Sequence, residues 1–246
     1  MLSGAGIILT RPARQAQELA RLIEAAGGRA IIFPALEIIP RTPNPSNQAK
    51  LDAADMAIFI SANAVEYGLR SASLPQNLSL AAIGNATAAA LHQAGYRNVL
   101  VPTQGPDSEA LLASPALHDV GGKRIAIFRG VGGRETLREA LRQRGAKVEY
   151  IECYTRRRPD VALDDVRSLL ARDDIAAIQA LSRETLENFC SMIGEQGVAL
   201  LRHKPLFAPH AAILEGAGML GFSEGILTEF GDAKLLAALG KRFGRP

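Results

Sequence analysis

Cysteine, histidine and lysine are scarce in this 246-residue sequence, with two, four and six of each. Cys153 and Cys190 form no CxxC pair, and His92, His118, His203 and His210 are too widely spaced for a zinc signature. A metal centre is therefore not expected, and the thiols are expected to stay reduced, as in a cytoplasmic protein. No apolar run approaches the roughly 20 residues of a membrane span. The opening MLSGAGIILTRP lacks the basic segment of a secretion signal and reads as a buried strand. The signatures of GxSxG, HExxH and P-loop enzymes are absent, and GVGG at 130–133 does not match the dinucleotide pattern GxGxxG. Glu37, Glu149 and Glu152 fall in strand patterns without an acidic partner. If the chain is an enzyme, its chemistry needs little acid or base help, and positioning of substrate carries most of the rate.

Hydrophobic residues make up 48% and charged residues 22%, the balance of an ordinary globular protein with one large or two small domains. A formal charge of +3 is too mild to indicate nucleic acid. Apart from Lys50, Lys123, Lys147, Lys204, Lys234 and Lys241, the 28 lysines and arginines are all arginine. Arginine is the better fork for carboxylates, although codon bias explains the preference equally well.

The sequence contains itself twice. GIILTRPARQAQELARLIEAAGGRAIIFPALEIIPR, from Gly6, and KRIAIFRGVGGRETLREALRQRGAKVEYIECYTRRRP, from Lys123, both run strand, arginine-bearing turn, amphipathic helix, glycine stop and second strand. Gly27 matches Gly145, Ser61 matches Ser182 and Gly95 matches Gly221. Short apolar strands alternating with helices predict an α/β protein of two doubly wound parallel-sheet lobes. Such sheets bind ligands beyond the carboxyl ends of their strands.

The turns at those ends contain LTRP (Arg11), ISANAV (Ser61, Ala62, Asn63), IGNATA (Gly84, Thr87), GPDSEALL (Ser108), FRGVGGRE (Arg129) and ALSRETL (Ser182, Arg183). A Ser, Thr or Asn at such a turn is expected to cap the helix that follows, and Pro12 to occupy a first helical position. Helix starts also attract anions, so the set of turns admits two readings, plain capping or a site for a polyanion. The stretch IECYTRRRP raises a similar choice. Tyr154 is a strand-end tyrosine or a catalytic one. Arg156, Arg157 and Arg158 solvate a hinge or steer an anionic ligand, and three adjacent side chains cannot all face one site.

Taken in order, LTRP, FISANAVEYGL, AAIGNATAAALHQAGY, GPDSEALL, GAKVEYIECYTRRR and ALSRETLENF resemble the uroporphyrinogen-III synthase family over nearly the whole chain. The resemblance implies a discontinuous lobe of residues 1–37 and 158–246, a second lobe of 38–157, a two-stranded connector formed by ALEIIPR and IECYTRRR, and a cleft as active site. It implies a cofactor-free cyclisation of hydroxymethylbilane through a spiro intermediate, with handover from hydroxymethylbilane synthase conceivable. Tyr154 then assists departure of hydroxide, and Arg11, Ser61, Ala62, Asn63, Gly84, Thr87, Ser108, Arg129, Ser182 and Arg183 hold the substrate's acetate and propionate groups. Where the family has a second IGxxT turn, this sequence has APHAAILEGAG, with Pro209 and His210 and no hydroxyl. No coiled coil or long apolar edge stands out, which predicts a monomer. A rival reading is a hinged two-lobe module that binds a small carboxylate without turnover.

Overall fold

The computed structural model describes residues 1–105 and 107–244; Pro106 of GPDSEALL and the end of the expected discontinuous lobe lie outside the described residues. In chain order the elements are β1 (Gly6–Leu9), α1 (Ala13–Ala25), β2 (Arg29–Ile32), β3 (Glu37–Pro40), α2 (Ser46–Asp52), β4 (Met56–Phe59) and α3 (Ala62–Ser71). There follow β5 (Ser79–Ala82), α4 (Asn85–Gln93), β6 (Val99–Leu100), α5 (Ser108–Leu112), β7 (Arg124–Gly130), α6 (Thr136–Gln143) and β8 (Lys147–Arg157). The last third holds α7 (Leu163–Leu170), β9 (Ile175–Gln179), α8 (Arg183–Leu201), β10 (Leu206–Ala208), α9 (Ala211–Met219), β11 (Gly225–Leu227) and α10 (Asp232–Phe243).

Two compact units result, one of Met1–Glu37 with Arg157–Pro246 and one of Ile38–Arg156. The first is built on a five-stranded sheet of order β11-β10-β9-β1-β2, parallel at every pair. The second carries a six-stranded sheet of order β3-β8-β7-β4-β5-β6, parallel from β8 to β6. Only β3 departs from the expected parallel arrangement. Arg157 Nε reaches Glu37 at 3.0 Å and the Arg41 N–H donates to the Cys153 carbonyl, so β3 begins where β8 ends and runs against it. An antiparallel edge on a parallel sheet is a common compromise.

Burial explains the rest. All four residues of β1 (GIIL) and of β4 (MAIF) are buried, the unbroken apolar run of a strand covered on both faces. Accordingly each sheet has two cores. Ile7 and Leu9 pack with α1 and α10, while Ile8 packs with α7, α8 and α9. Ala57 and Phe59 pack with α3 and α4, while Met56 and Ile58 pack with α5 and α6. Helix α1 turns Ala16, Leu19, Ala20 and Ile23 inward, one stripe at helical spacing. It stops at Gly27, whose φ of +78° lets the Gly28 N–H reach back to the Ile23 carbonyl. Gly145, matched to it in the repeat, does the same work after α6 with φ +84°.

A different glycine makes the helix–sheet contact in the second unit. A Cβ on Gly68 of α3 would stand 2.5 Å from the Phe128 ring, which is fully buried and stacked on Phe59 at 4.3 Å. Alanine would gain about 1 kcal/mol of helix propensity. Forcing it against a ring with nowhere to go costs about 1–3 kcal/mol. Gly68→Ala is therefore expected to lower the urea midpoint, and a raised midpoint would show that the ring can give way.

Candidate active site

In the second unit the strand order turns at β4: β5 and β6 extend to one side, β7, β8 and β3 to the other. Helices leaving β4 and β7 pass to opposite faces, and a hollow opens beyond the two carboxyl ends. Ile60 and Ser61 follow β4, and Gly130 ends β7. Here the register of β7 on β8 slips. Pairs run one to one from Arg124 and Lys147 to Arg129 and Glu152, and then Gly130 faces Tyr154, so that Cys153 is the extra residue of a bulge. Strict alternation would send Tyr154 to the face of Val148 and Tyr150, which pack with α5 and α6. The bulge instead turns Cys153 and Tyr154 together into the core of Ile151, Phe128 and Tyr67. The Tyr154 ring then lies on Gly130, where a Cβ would come within 2.5 Å of it.

The hydroxyl so placed is 3.1 Å from Ser61 Oγ, which caps α3 by accepting the Ala64 N–H at 3.0 Å. Tyr154 is buried yet lines a pocket of about 250 Å³ with Ile60, Ile83, Asp107, Ser108, Arg134 and Arg156, floored by the turn from Arg129 to Gly133. Arg129, 2% exposed, is largely committed to shaping that turn. It donates to the carbonyls of Gly130 and Gly132 and to Glu135 Oε1 at 3.0 Å, and lies over the Tyr150 ring at 4.3 Å. The Tyr150 hydroxyl donates to Glu135 at 2.9 Å and, more than the neighbouring arginines, holds that carboxyl below its ordinary range. Burial first and the Glu135 hydrogen bond second push the Tyr150 phenol up. Burial also pushes the Cys153 thiol up to about 12 and the Cys190 thiol up to about 11, so neither is a nucleophile near neutral pH.

In the first unit the order turns between β1 and β9, and the residues beyond those ends are Arg11, Leu181, Ser182 and Arg183. Arg11 is buried and bonds Asp232 at 2.8 Å. Ser182 caps α8 through the Thr185 N–H at 3.1 Å, as Ser61 caps α3. Arg183 is exposed and pairs with Glu187 at 2.8 Å.

The expected caps are fewer than the turns suggested. Among the described residues only Ser61 and Ser182, matched in the repeat, accept at a helix start through a hydroxyl. At α5 the cap is Asp107, which accepts from Ala110 at 2.7 Å, and Ser108 is the first helical residue. Gly84 caps α4 with backbone alone, and Thr87 is buried in the first turn with its N–H on the Gly84 carbonyl. Pro12 stands at the cap of α1, one position before its expected place. Ala62 is exposed and Asn63 half-buried in the first turn of α3. The three arginines diverge: Arg156 lines the pocket, Arg157 holds Glu37 on β3 and Arg158 donates to Ser191 on α8. Unanticipated at the pocket were Asp107, Arg134 and the seat that Gly130 makes; the signals were a capping-type residue beside Ser108 and a glycine ending an apolar strand.

The family model for "Uroporphyrinogen-III synthase HemD" matches residues 17–233. The chain belongs to the uroporphyrinogen-III synthase family. The Escherichia coli K12 uroporphyrinogen-III synthase is 35% identical over 158 residues, 61% of this chain and 64% of that one. The chain thus spans a little under two thirds of that relative's length. The Synechococcus elongatus uroporphyrinogen-III synthase is 31% identical over 206 residues, 78% of this chain and 76% of that one. Two solved structures share the fold, each with a TM-score of 0.63. A mutant uroporphyrinogen III synthase of Thermus thermophilus is 17% identical and aligned over 97% of this chain and 98% of its own. The uroporphyrinogen-III synthetase of Helicobacter pylori 26695 is 14% identical, over 97% and 100%. The α/β fold with mostly parallel sheets is therefore that of the uroporphyrinogen-III synthase family. Among the described residues no helix is long and apolar enough to cross a membrane, and no group of three or more His, Cys, Asp and Glu is arranged to hold a metal.

Proposed function

We propose that the chain is a uroporphyrinogen-III synthase, a lyase that closes linear hydroxymethylbilane with inversion of the terminal pyrrole and loss of water. Family membership supports the reading, and one observation carries it: the Tyr154 hydroxyl, aimed by the bulge, bonded to Ser61 and open to a pocket. Ser61 Oγ accepts the Ala64 N–H and still has its own proton to give; with that proton on the Tyr154 oxygen, the phenol proton is left for the pocket. Tyr154 donates to the departing hydroxyl of the bilane, which leaves as water and yields an azafulvene cation. The substituted carbon of the last pyrrole attacks to form a spiro intermediate. Its opening and reclosure at the free carbon, followed by loss of a proton, gives the inverted ring.

Helix starts at Ser61, Asn63, Gly84, Thr87 and Ser108 in one unit, and at Arg11, Ser182 and Arg183 in the other, offer N–H groups and partial positive charge to the substrate's carboxylates. Arg129 acts by fixing the pocket floor. The same reading makes the protein a cytoplasmic enzyme that works without a cofactor on the bilane released by hydroxymethylbilane synthase.

The test is a coupled assay with freshly generated hydroxymethylbilane and no added cofactor, with the oxidised I and III isomers separated by chromatography. An excess of isomer III is expected. Folded protein that yields only isomer I, the product of spontaneous closure, would overturn the reading in favour of a carboxylate-binding module.

A further inference from the structure

The two sheets are related by the internal repeat, and each has a pocket where its strand order turns. In the first unit this pocket is small, about 60 Å³, and lies beyond β1 and β9 between Arg11, Gln179, Phe207, Pro209 and the stretch from Thr228 to Asp232. Its polar groups are unusual. Gln179 ends the apolar strand IAAIQ, is 1% exposed, and has no hydrogen-bond partner on either amide atom. Arg11, 8% exposed, spends one guanidinium nitrogen on Asp232 while its Nε has no partner. A buried amide with nothing to bond is destabilising, and a Leu or Met of similar volume would fill the position without that penalty.

We propose that this pocket is a second carboxylate subsite, distinct from the pocket of Tyr154, with Gln179 as its specificity-determining residue. Its ligand is one short carboxylate side chain, acetate or propionate in size, of the substrate. Two unpartnered donors, Arg11 Nε–H and the Gln179 amide N–H, belong to side chains that line it, and the start of α10, whose cap Gly231 supplies no side chain, borders it. The carboxylates nearby do not cancel them, since Asp232 is bonded to Arg11 and Glu229 to Lys234 at 2.7 Å. The volume suits a carboxylate with one water, which takes up the amide oxygen. Phe230, 69% exposed, lines the pocket as well. Pro209 lines the same pocket, so the sequence that replaces the family's IGxxT turn borders a site with its polar groups on other strands.

The inference rests on the synthase reading, and its test separates the two. Gln179→Leu is compared with the wild type in melting temperature and in kcat and KM for hydroxymethylbilane. In parallel, side-chain amide NMR follows the Gln179 resonance of the wild type, assigned by its loss in the variant, as sodium propionate replaces sodium chloride at constant ionic strength. The expected result is an equal or higher melting temperature, a KM raised about tenfold with kcat within twofold, and a propionate-dependent shift. An unchanged KM with no shift means that the amide holds only water, and overturns the subsite while isomer III formation stands. If the wild type makes no isomer III, the synthase reading falls and the propionate titration alone decides, a shift supporting the subsite and its absence overturning it.

Discussion

Tyr154→Phe is expected to cut isomer III formation by about 100-fold or more while the protein stays folded. The phenyl ring keeps the seat on Gly130 and the contact with Tyr67, and Ser61 keeps the Ala64 N–H, so the loss is confined to one hydroxyl and its bond to Ser61. Steady-state cyclisation of hydroxymethylbilane with isomer analysis measures the rate, and near-ultraviolet circular dichroism checks the packing. Undiminished isomer III from the variant would remove the tyrosine from the chemistry and leave positioning alone to account for the rate. Ser61→Ala separates the contributions further. It removes a helix cap, worth about 1 kcal/mol of stability, and leaves the tyrosine hydroxyl without its oriented neighbour, so a smaller loss of rate accompanies a measurable loss of stability.

Gly130→Ala is expected to be at least as damaging as Tyr154→Phe, for a steric reason. The alanine methyl would stand 2.5 Å from the tyrosine ring, and the ring is confined by Tyr67 and the buried core beneath it. The ring must leave its seat, which costs about 1–3 kcal/mol of stability and takes the hydroxyl away from the pocket. A double-mutant cycle exposes the coupling. With leucine at 154, Gly130→Ala should cost much less stability than it does beneath the tyrosine, although neither form is active. Equal costs in both backgrounds would mean that Gly130 acts through backbone freedom and not as the ring's platform.

Much of this was written in the sequence, and what was hidden has a common cause. Apolar runs bounded by turns gave the strands, since strands buried on both faces admit little else, and the repeat paired Ser61 with Ser182 before either was seen to cap a helix. Tyr154 stood out as a tyrosine before three arginines, but period-two reasoning would have turned it to the wrong face. A bulge is decided by how β7 meets β8, two segments that do not announce their register. Arg129 was legible as an arginine at a strand end and illegible as one turned inward, because its partners are backbone carbonyls and a glutamate six residues on. Ser108 lost the cap to its neighbour Asp107, a difference of one position between two good capping residues. Gln179 could not be read at all, because a glutamine closing an apolar strand looks like the strand's edge until its burial is known.

The discontinuity of the first unit has a bearing on how the chain is born. Strand β1 leaves the ribosome before the whole of the second unit, yet its place is inside its sheet, between β2 and β9, and β9 does not begin until Ile175. Throughout synthesis of the second unit, a four-residue strand destined for complete burial waits with one edge unpaired. The intervening segment Ile38–Arg156 has all its own strands and completes itself first. Nascent chains halted before β9 would therefore carry a finished domain behind a sticky strand, and chaperones that bind exposed apolar segments should engage β1 until β9 has been made.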